Sequence, residues 1–215
     1  MKIDHFFIFS SNKGQIANEL VEFGITEGSN RIHRGQGTAN RKFYFDNFFL
    51  EVLWVDNESD IRSEQTSKTK LWERSQFEKS GHSPFGLCLV NSKSTDLLFQ
   101  DSLVYQPNYF PQGMSIDIIT NEKTPQLPWT FRLPYRDIQK KPNEPTKHAN
   151  GIKKLTKVIF EYPSTKTQTV FEKYFEQIDS IVFKSEKQTH LTLEFDHCVQ
   201  GKSKEFKQLQ LSIKF

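Results

Sequence analysis

Cysteine is scarce in this chain, with 2 among 215 residues, which excludes a fold stapled by disulfides. Cys88 sits in the apolar run FGLCLV and Cys198 follows His197, so both are expected as reduced thiols of a cytoplasmic protein. No paired-cysteine, His-Glu-x-x-His or Gly-x-Ser-x-Gly motif occurs, which removes the usual signatures of zinc ribbons, zinc peptidases and serine hydrolases. An excess of one charge is missing too. The 29 basic and 26 acidic residues are scattered along the chain, so no nucleic-acid footprint is expected. Nothing approaches the roughly 20 apolar residues that cross a bilayer, and Phe6 to Phe9 is too short, and too close to Asp4 and His5, for a secretory leader. Neither nucleic acid nor membrane is an expected partner.

Apolar residues overall make up only 35% of the chain, with a mean hydropathy of -0.63, but 20 phenylalanines supply bulk for a core. A chain of this size buries about 70% of its unfolded surface and needs no metal to fold. KIDHFFIFS reads as a strand, and Ile16, Leu20, Val21 and Phe23 then recur at helical spacing before Gly24, a natural C-terminal cap. Three strands follow in ITEGSNRIH, RKFYF and FFLEVLWV, with Asp46-Asn47 as the tight turn between the last two.

The order strand, helix, three strands recurs. A charged connector, helical through Leu71, Trp72 and Phe77, leads to the strand PFGLCLV, a helix over Ser94 to Leu103, and strands over Met114 to Ile119 and Trp129 to Leu133. A third pass gives a strand over Ile152 to Phe160, then a helix between Thr165 and Gln177 carrying Val170, Phe171, Tyr174 and Phe175. Strands over Ser180 to Phe183, His190 to Phe195 and Leu209 to Phe215 complete it. The expected organisation is a first module over 1–56, a helical connector over 57–82, a degenerate middle module over 83–141, a linker over 142–150 and a C-terminal module over 151–215. The fold class is α+β, with βαβββ modules forming a cup-shaped mixed sheet.

Residues two apart on a strand share a face, so His5 points with Phe7, and Glu51 with Phe49 and Leu53. If the first and fourth strands are neighbours, His5 and Glu51 stand on one face as half of a metal site, an acid/base pair, or a hydrogen-bonded pair that only fixes register. The turn HRGQGTAN supplies uncharged donors and acceptors at Gln36, Thr38 and Asn40. Its glycines lack the Gly-Lys-Ser/Thr sequel of a phosphate loop, and it reads either as a ligand loop or as a plain turn. His33, His82 and His148 fall in loop-like segments and are expected to be solvated.

Taken with KIDHFFIF, the stretch HRGQGTANRKFYFDNFFLEVLWV resembles the glyoxalase-like domain family of the vicinal oxygen chelate superfamily, the glyoxalase/bleomycin-resistance/dioxygenase type. PFGLCLV, the Trp129 strand and HANGIKKLTKV look like that family in content and order. The resemblance implies βαβββ modules closing into a cup that often holds a divalent metal, zinc, manganese, nickel or iron, on the first and last strands of paired modules. His5 and Glu51 match those positions in the first module. Aligning KIDHFFIF with KLTKVIFE, however, sets Lys157 opposite His5 and Ser212 or Gln210 opposite Glu51, and none of these completes a site unless a loop histidine closes in.

Three readings follow. One is a metal-dependent lyase, isomerase or dioxygenase acting on a small oxygen-rich substrate. The second is a metal-free protein that binds or sequesters a small molecule, as in antibiotic resistance, with His5 and Glu51 as polar anchors and Gln36, Thr38, Asn40 and Trp54 around the ligand. The third is a homodimerisation module without a ligand.

Overall fold

The computed structural model describes residues 1–138, 143–164 and 167–215. The expected linker over 142–150 and the expected helix from Thr165 begin outside the described residues. The chain is α+β. A curled eight-stranded sheet runs in the order β2-β3-β4-β1-β5-β8-β7-β6, where β1 is Ile3–Phe9, β2 Asn30–His33, β3 Thr38–Tyr44, β4 Phe49–Val55, β5 Phe85–Leu89, β6 Leu103–Tyr105, β7 Ile116–Ile119 and β8 Trp129–Arg132. Among the described residues no helix is long and apolar enough to cross a membrane.

The order of the first four strands follows from local chemistry. A 3-10 turn, Gln15–Ala17, runs into helix α1, Asn18–Glu22, which buries Leu20 and ends at Gly24 with a φ of 96°. Only glycine adopts that left-handed cap cheaply. The helix carries the chain across β1 so that β4 returns parallel beside it, as the right-handed crossover rule requires. Asp46-Asn47 closes the β3–β4 hairpin as expected, and the Asn47 carboxamide exchanges two hydrogen bonds with the Leu155 backbone, at 2.9 and 3.0 Å.

The middle stretch repeats this order in mirror image. β5 lies parallel to β8, and β5 pairs antiparallel with β1, His5 facing Cys88 and Phe7 facing Gly86. This seam closes the cup. A Cβ at Gly86 would lie 2.1 Å from the Phe7 ring, so only glycine lets that ring cross the seam. The helix expected over Ser94 to Leu103 is a single 3-10 turn, Lys93–Thr95, because only Phe99 of Leu97, Leu98 and Phe99 is buried and no apolar stripe forms.

The connector folds as four short helices, α2 (Glu58–Ile61), α3 (Glu64–Ser67), α4 (Leu71–Ser75) and α5 (Phe77–Ser80). Arg74 of α4 is fully buried and donates to the carbonyls of Ser83, Leu127 and Thr120 at 2.8 to 3.0 Å. Its pKa is pushed down to about 9 by burial. The Trp129 indole donates to Thr69 at 2.8 Å. These bonds pin the connector over the inner face of the sheet.

The C-terminal unit departs from the expected symmetry with the first module. Its sheet runs β10-β9-β11-β13-β12, with β9 at Leu155–Tyr162, β10 at Ile181–Ser185, β11 at His190–Phe195, β12 at Ser203–Phe206 and β13 at Leu211–Lys214. Helix α6, Val170–Phe175, returns the chain directly beside β9 as a short parallel crossover, whereas in the first module the parallel neighbour of β1 is the last strand. Lys157, Gln210 and Ser212 therefore do not face His5 or Glu51. The five-stranded sheet packs on the outer face of the cup, where Phe160 meets Phe6 and Phe85 with ring centroids 6.0 and 6.3 Å apart.

Within α6, Phe171 and Phe175 are buried against Phe183, but Val170 is 87% exposed. Phe171→Ala is expected to cost about 3 kcal/mol or more in urea unfolding, and Val170→Ala less than about 0.5 kcal/mol. Equal effects at the two positions would contradict this packing.

Candidate functional site

Strand register arranges the inner face in rows. Arg31 lies opposite Asn40, which lies opposite Leu53. The next row runs Lys42, Glu51, Phe7, Gly86, Trp129, and the one after it Tyr44, Phe49, His5, Cys88, Phe131. A cavity of about 220 Å³ lies over these rows, with His5, His33, Gln36, Asn40, Glu51 and Tyr109 as its main polar lining and Phe7, Phe49, Trp129 and Phe131 among its apolar walls. A larger space of about 670 Å³ adjoins it, sharing Arg31, Lys42 and Phe49.

His5 is held on three sides. Its ring stacks on Phe49 with centroids 4.3 Å apart and takes the edge of Phe131 at 5.2 Å, while Nδ1 bonds Asp4 at 2.6 Å. A carboxylate on one ring nitrogen fixes tautomer and orientation and leaves the other nitrogen for a different partner. His5 and Glu51 sit diagonally on neighbouring parallel strands, with Phe49 and Phe7 as their direct neighbours.

Over the turn that follows β2, a chain of hydrogen bonds joins the two halves of the cup. The Tyr109 hydroxyl donates to Gln36 Oε1 at 3.1 Å, Gln36 Nε2 donates to Thr38 Oγ1 at 2.9 Å, and Thr38 Oγ1 shares a hydrogen bond with His33 Nδ1 at 2.9 Å. Gly35 and Gly37 take positive φ in the turn, and the Gly37 carbonyl accepts from Asp56 and Asn57. The pKa of His33 falls to about 4, chiefly by burial and against the pull of the Glu51 carboxylate. His33 is thus neutral near pH 7.

Asn40 differs from its neighbours. It is 1% exposed, and neither its carboxamide oxygen nor its nitrogen has a hydrogen-bond partner. A buried amide left unpaired costs about 1 to 3 kcal/mol, and its side chain borders the cavity.

Of the residues expected from sequence, His5, Glu51, Gln36 and Asn40 line this one cavity. Thr38 is buried as the link between His33 and Gln36. Trp54 does not belong with them. It alternates with Leu53 and Val55, faces away from Glu51, packs over Gly14 and borders a separate cleft with Ser10 and Lys13. His33, expected in solvent, is buried in the site, because Tyr109 lies beside its ring at 5.1 Å. His148, also expected in solvent, is half-buried against Phe45 and accepts the Thr26 N–H.

The divalent metal implied by the family resemblance can be tested against these donors. Among the described residues, Asp4, His5 and Cys88 form one trio whose ligand atoms lie within 4.8 Å of one another. The 2.6 Å contact of Asp4 with His5 is a hydrogen bond, shorter than the roughly 3.3 Å between two ligands on one tetrahedral ion. Burial and the nearby carboxylates of Asp4 and Glu51 push the Cys88 thiol well up. Across the seam from His5 and Glu51 the second half of the cup offers Gly86, Cys88, Trp129 and Phe131. The donors in this arrangement do not fit a bound divalent ion.

No family model matches the chain, and no curated protein matches it in sequence. Among solved structures, a hypothetical protein from Staphylococcus aureus shares the fold, with a TM-score of 0.62 at 16% identity over 99% of this chain and 98% of that one. A hypothetical protein from Bacillus halodurans gives a TM-score of 0.39 at 12% identity, over 66% of this chain and 98% of that one. Methylmalonyl-CoA epimerase from Mycobacterium tuberculosis gives 0.37 at 12% identity, over 61% and 86%.

The depressed pKa of His33 carries a sign. Its unfolded value is near 6.5, so the unfolded chain binds more protons than the folded one between about pH 6.5 and 4. The contribution of His33 to stability is whole above about pH 6.5 and is lost, by about 3 kcal/mol, as pH drops to 4. An NMR titration of the His33 ring should give a midpoint near 4, and His33→Gln should flatten the stability slope in that window. A midpoint near 6.5 would place the ring in water.

Proposed function

We propose that the inner face of the cup binds a small organic molecule without a resident metal. The observation that carries this reading is Asn40, a buried carboxamide with both polar atoms unpaired at the wall of a cavity. Buried polar groups in folded proteins find partners, and a ligand presenting a donor beside an acceptor would supply both of those that Asn40 lacks. Aromatic walls and a few convergent polar groups are the usual make-up of a small-molecule site. The glyoxalase-like resemblance of the first module supports the same use of the cup.

A second reading, a lyase or isomerase that moves a proton, draws on Glu51 and the Asp4-oriented His5, two ionisable groups on one apolar-walled face. In that reading Glu51 or His5 takes a proton from a carbon acid held at Asn40.

Chelator-treated protein is expected to bind members of a panel of small polar aromatic compounds in ligand-observed NMR. Asn40→Ala should weaken the best binder by about 1 to 3 kcal/mol, while its unfolding midpoint stays level or rises, since an unpaired buried amide is removed. A drop in stability with unaltered affinity would make Asn40 scaffold and reject the reading.

A further inference from the structure

The chemistry around Asn40 narrows the ligand class, an inference that rests on the binding reading above. Arg31 is the direct cross-strand partner of Asn40, and Lys42 follows two residues along the same face of β3. All three border the cavity. The Arg31 guanidinium lies over the Tyr109 ring, 4.7 Å from its centroid, and the Tyr109 hydroxyl is engaged with Gln36. The guanidinium is thus held against the ring as a cation–π contact. Among the described residues neither Arg31 nor Lys42 makes an ion pair. Glu51, opposite Lys42, and Glu144, whose carboxyl feels the Lys42 charge, answer the lysine, and the Arg31 guanidinium is left without a carboxylate partner among the described residues.

We propose that this corner takes the carboxylate of a small aromatic 2-hydroxy acid. The two carboxylate oxygens accept from the Arg31 fork and from the Asn40 N–H, an arrangement of charge-assisted bonds that a planar guanidinium favours. The Asn40 carbonyl accepts from a hydroxyl on the carbon beside the carboxylate. An ammonium in that place would face Arg31 and Lys42, so the hydroxyl is the donor that suits the local charge. The aromatic ring lies against Trp129 and Phe131, across the seam.

The test is calorimetric titration of the whole chain, in chelator, with 2-hydroxy-3-phenylpropanoate, 3-phenylpropanoate and 2-hydroxy-3-phenylpropanamide. The hydroxy acid should bind at least tenfold more tightly than its amide and several-fold more tightly than the acid lacking the hydroxyl. Arg31→Met keeps the apolar stem at an exposed position and should erase the preference for carboxylate over amide while leaving affinity for the amide. Asn40→Ala should erase the preference for the hydroxyl. Equal binding of acid and amide by the unaltered protein, or an undiminished preference in Arg31→Met, overturns the carboxylate assignment and leaves the cup as a binding site for another class. Failure of all three probes also overturns it, and the wider compound panel then decides separately whether the cup binds anything.

Discussion

The antiparallel seam between β1 and β5 is the constraint on which the rest depends. It joins two units of like strand order into one curled sheet, and it sets His5 against Cys88 and Phe7 against Gly86. Because side chains alternate along each strand, that one register decides which residues face the cavity and which face the five-stranded sheet. Phe6 and Ile8 go to the outer core, and His5, Phe7 and Phe9 go inward. A one-residue slip would exchange the two sets. The contact of Phe7 with Gly86 makes such a slip costly, since it would bring Phe85 or Leu87 opposite Phe7, where even a Cβ would lie 2.1 Å from the ring.

The two halves so joined are chemically unequal. The first supplies Arg31, His33, Gln36, Asn40, Lys42 and Glu51, and the second supplies Trp129, Phe131 and Ile116, with Tyr109 as its polar tip. Enclosing so many polar groups carries a cost in desolvation. The network of Tyr109, Gln36, Thr38 and His33 recovers it by pairing, and Phe49 and Asp4 hold His5. Asn40 borders the cavity with both of its polar atoms unpaired, while Arg74 Nε and the Tyr105 hydroxyl, also buried without a partner, are not among the residues lining it. The place of Asn40 at the cavity wall is what favours reading the cavity as a site.

Much of the first module was legible in sequence because its signals are local. Strand β1, the Gly24 cap, the Asp46-Asn47 turn and the parity of His5 and Glu51 all follow from residues close together in the chain. Strand period alone also sets Trp54 on the face opposite to Glu51, and the structure has it there, beside Ser10 and Lys13. What sequence did not reveal depends on distant partners. His33 is buried by Tyr109, which reaches the same turn from 73 residues beyond Gln36. Strands β6 and β12, of 3 and 4 residues, carry too few positions for a period to register. The topology of the C-terminal unit turns on where the short helix α6 returns the chain, and its apolar residues do not encode that.

The claim that the cup works without a resident ion rests on the second half offering a glycine, a buried thiol and two aromatic rings where further ligands would have to stand. The most direct measurement is elemental analysis of the whole protein after production in medium supplied with zinc, manganese, nickel and iron, and purification without chelator. The account predicts no stoichiometric divalent metal, and an unfolding midpoint that chelator leaves unchanged. One ion per chain, lost in His5→Ala or Glu51→Ala, would contradict it.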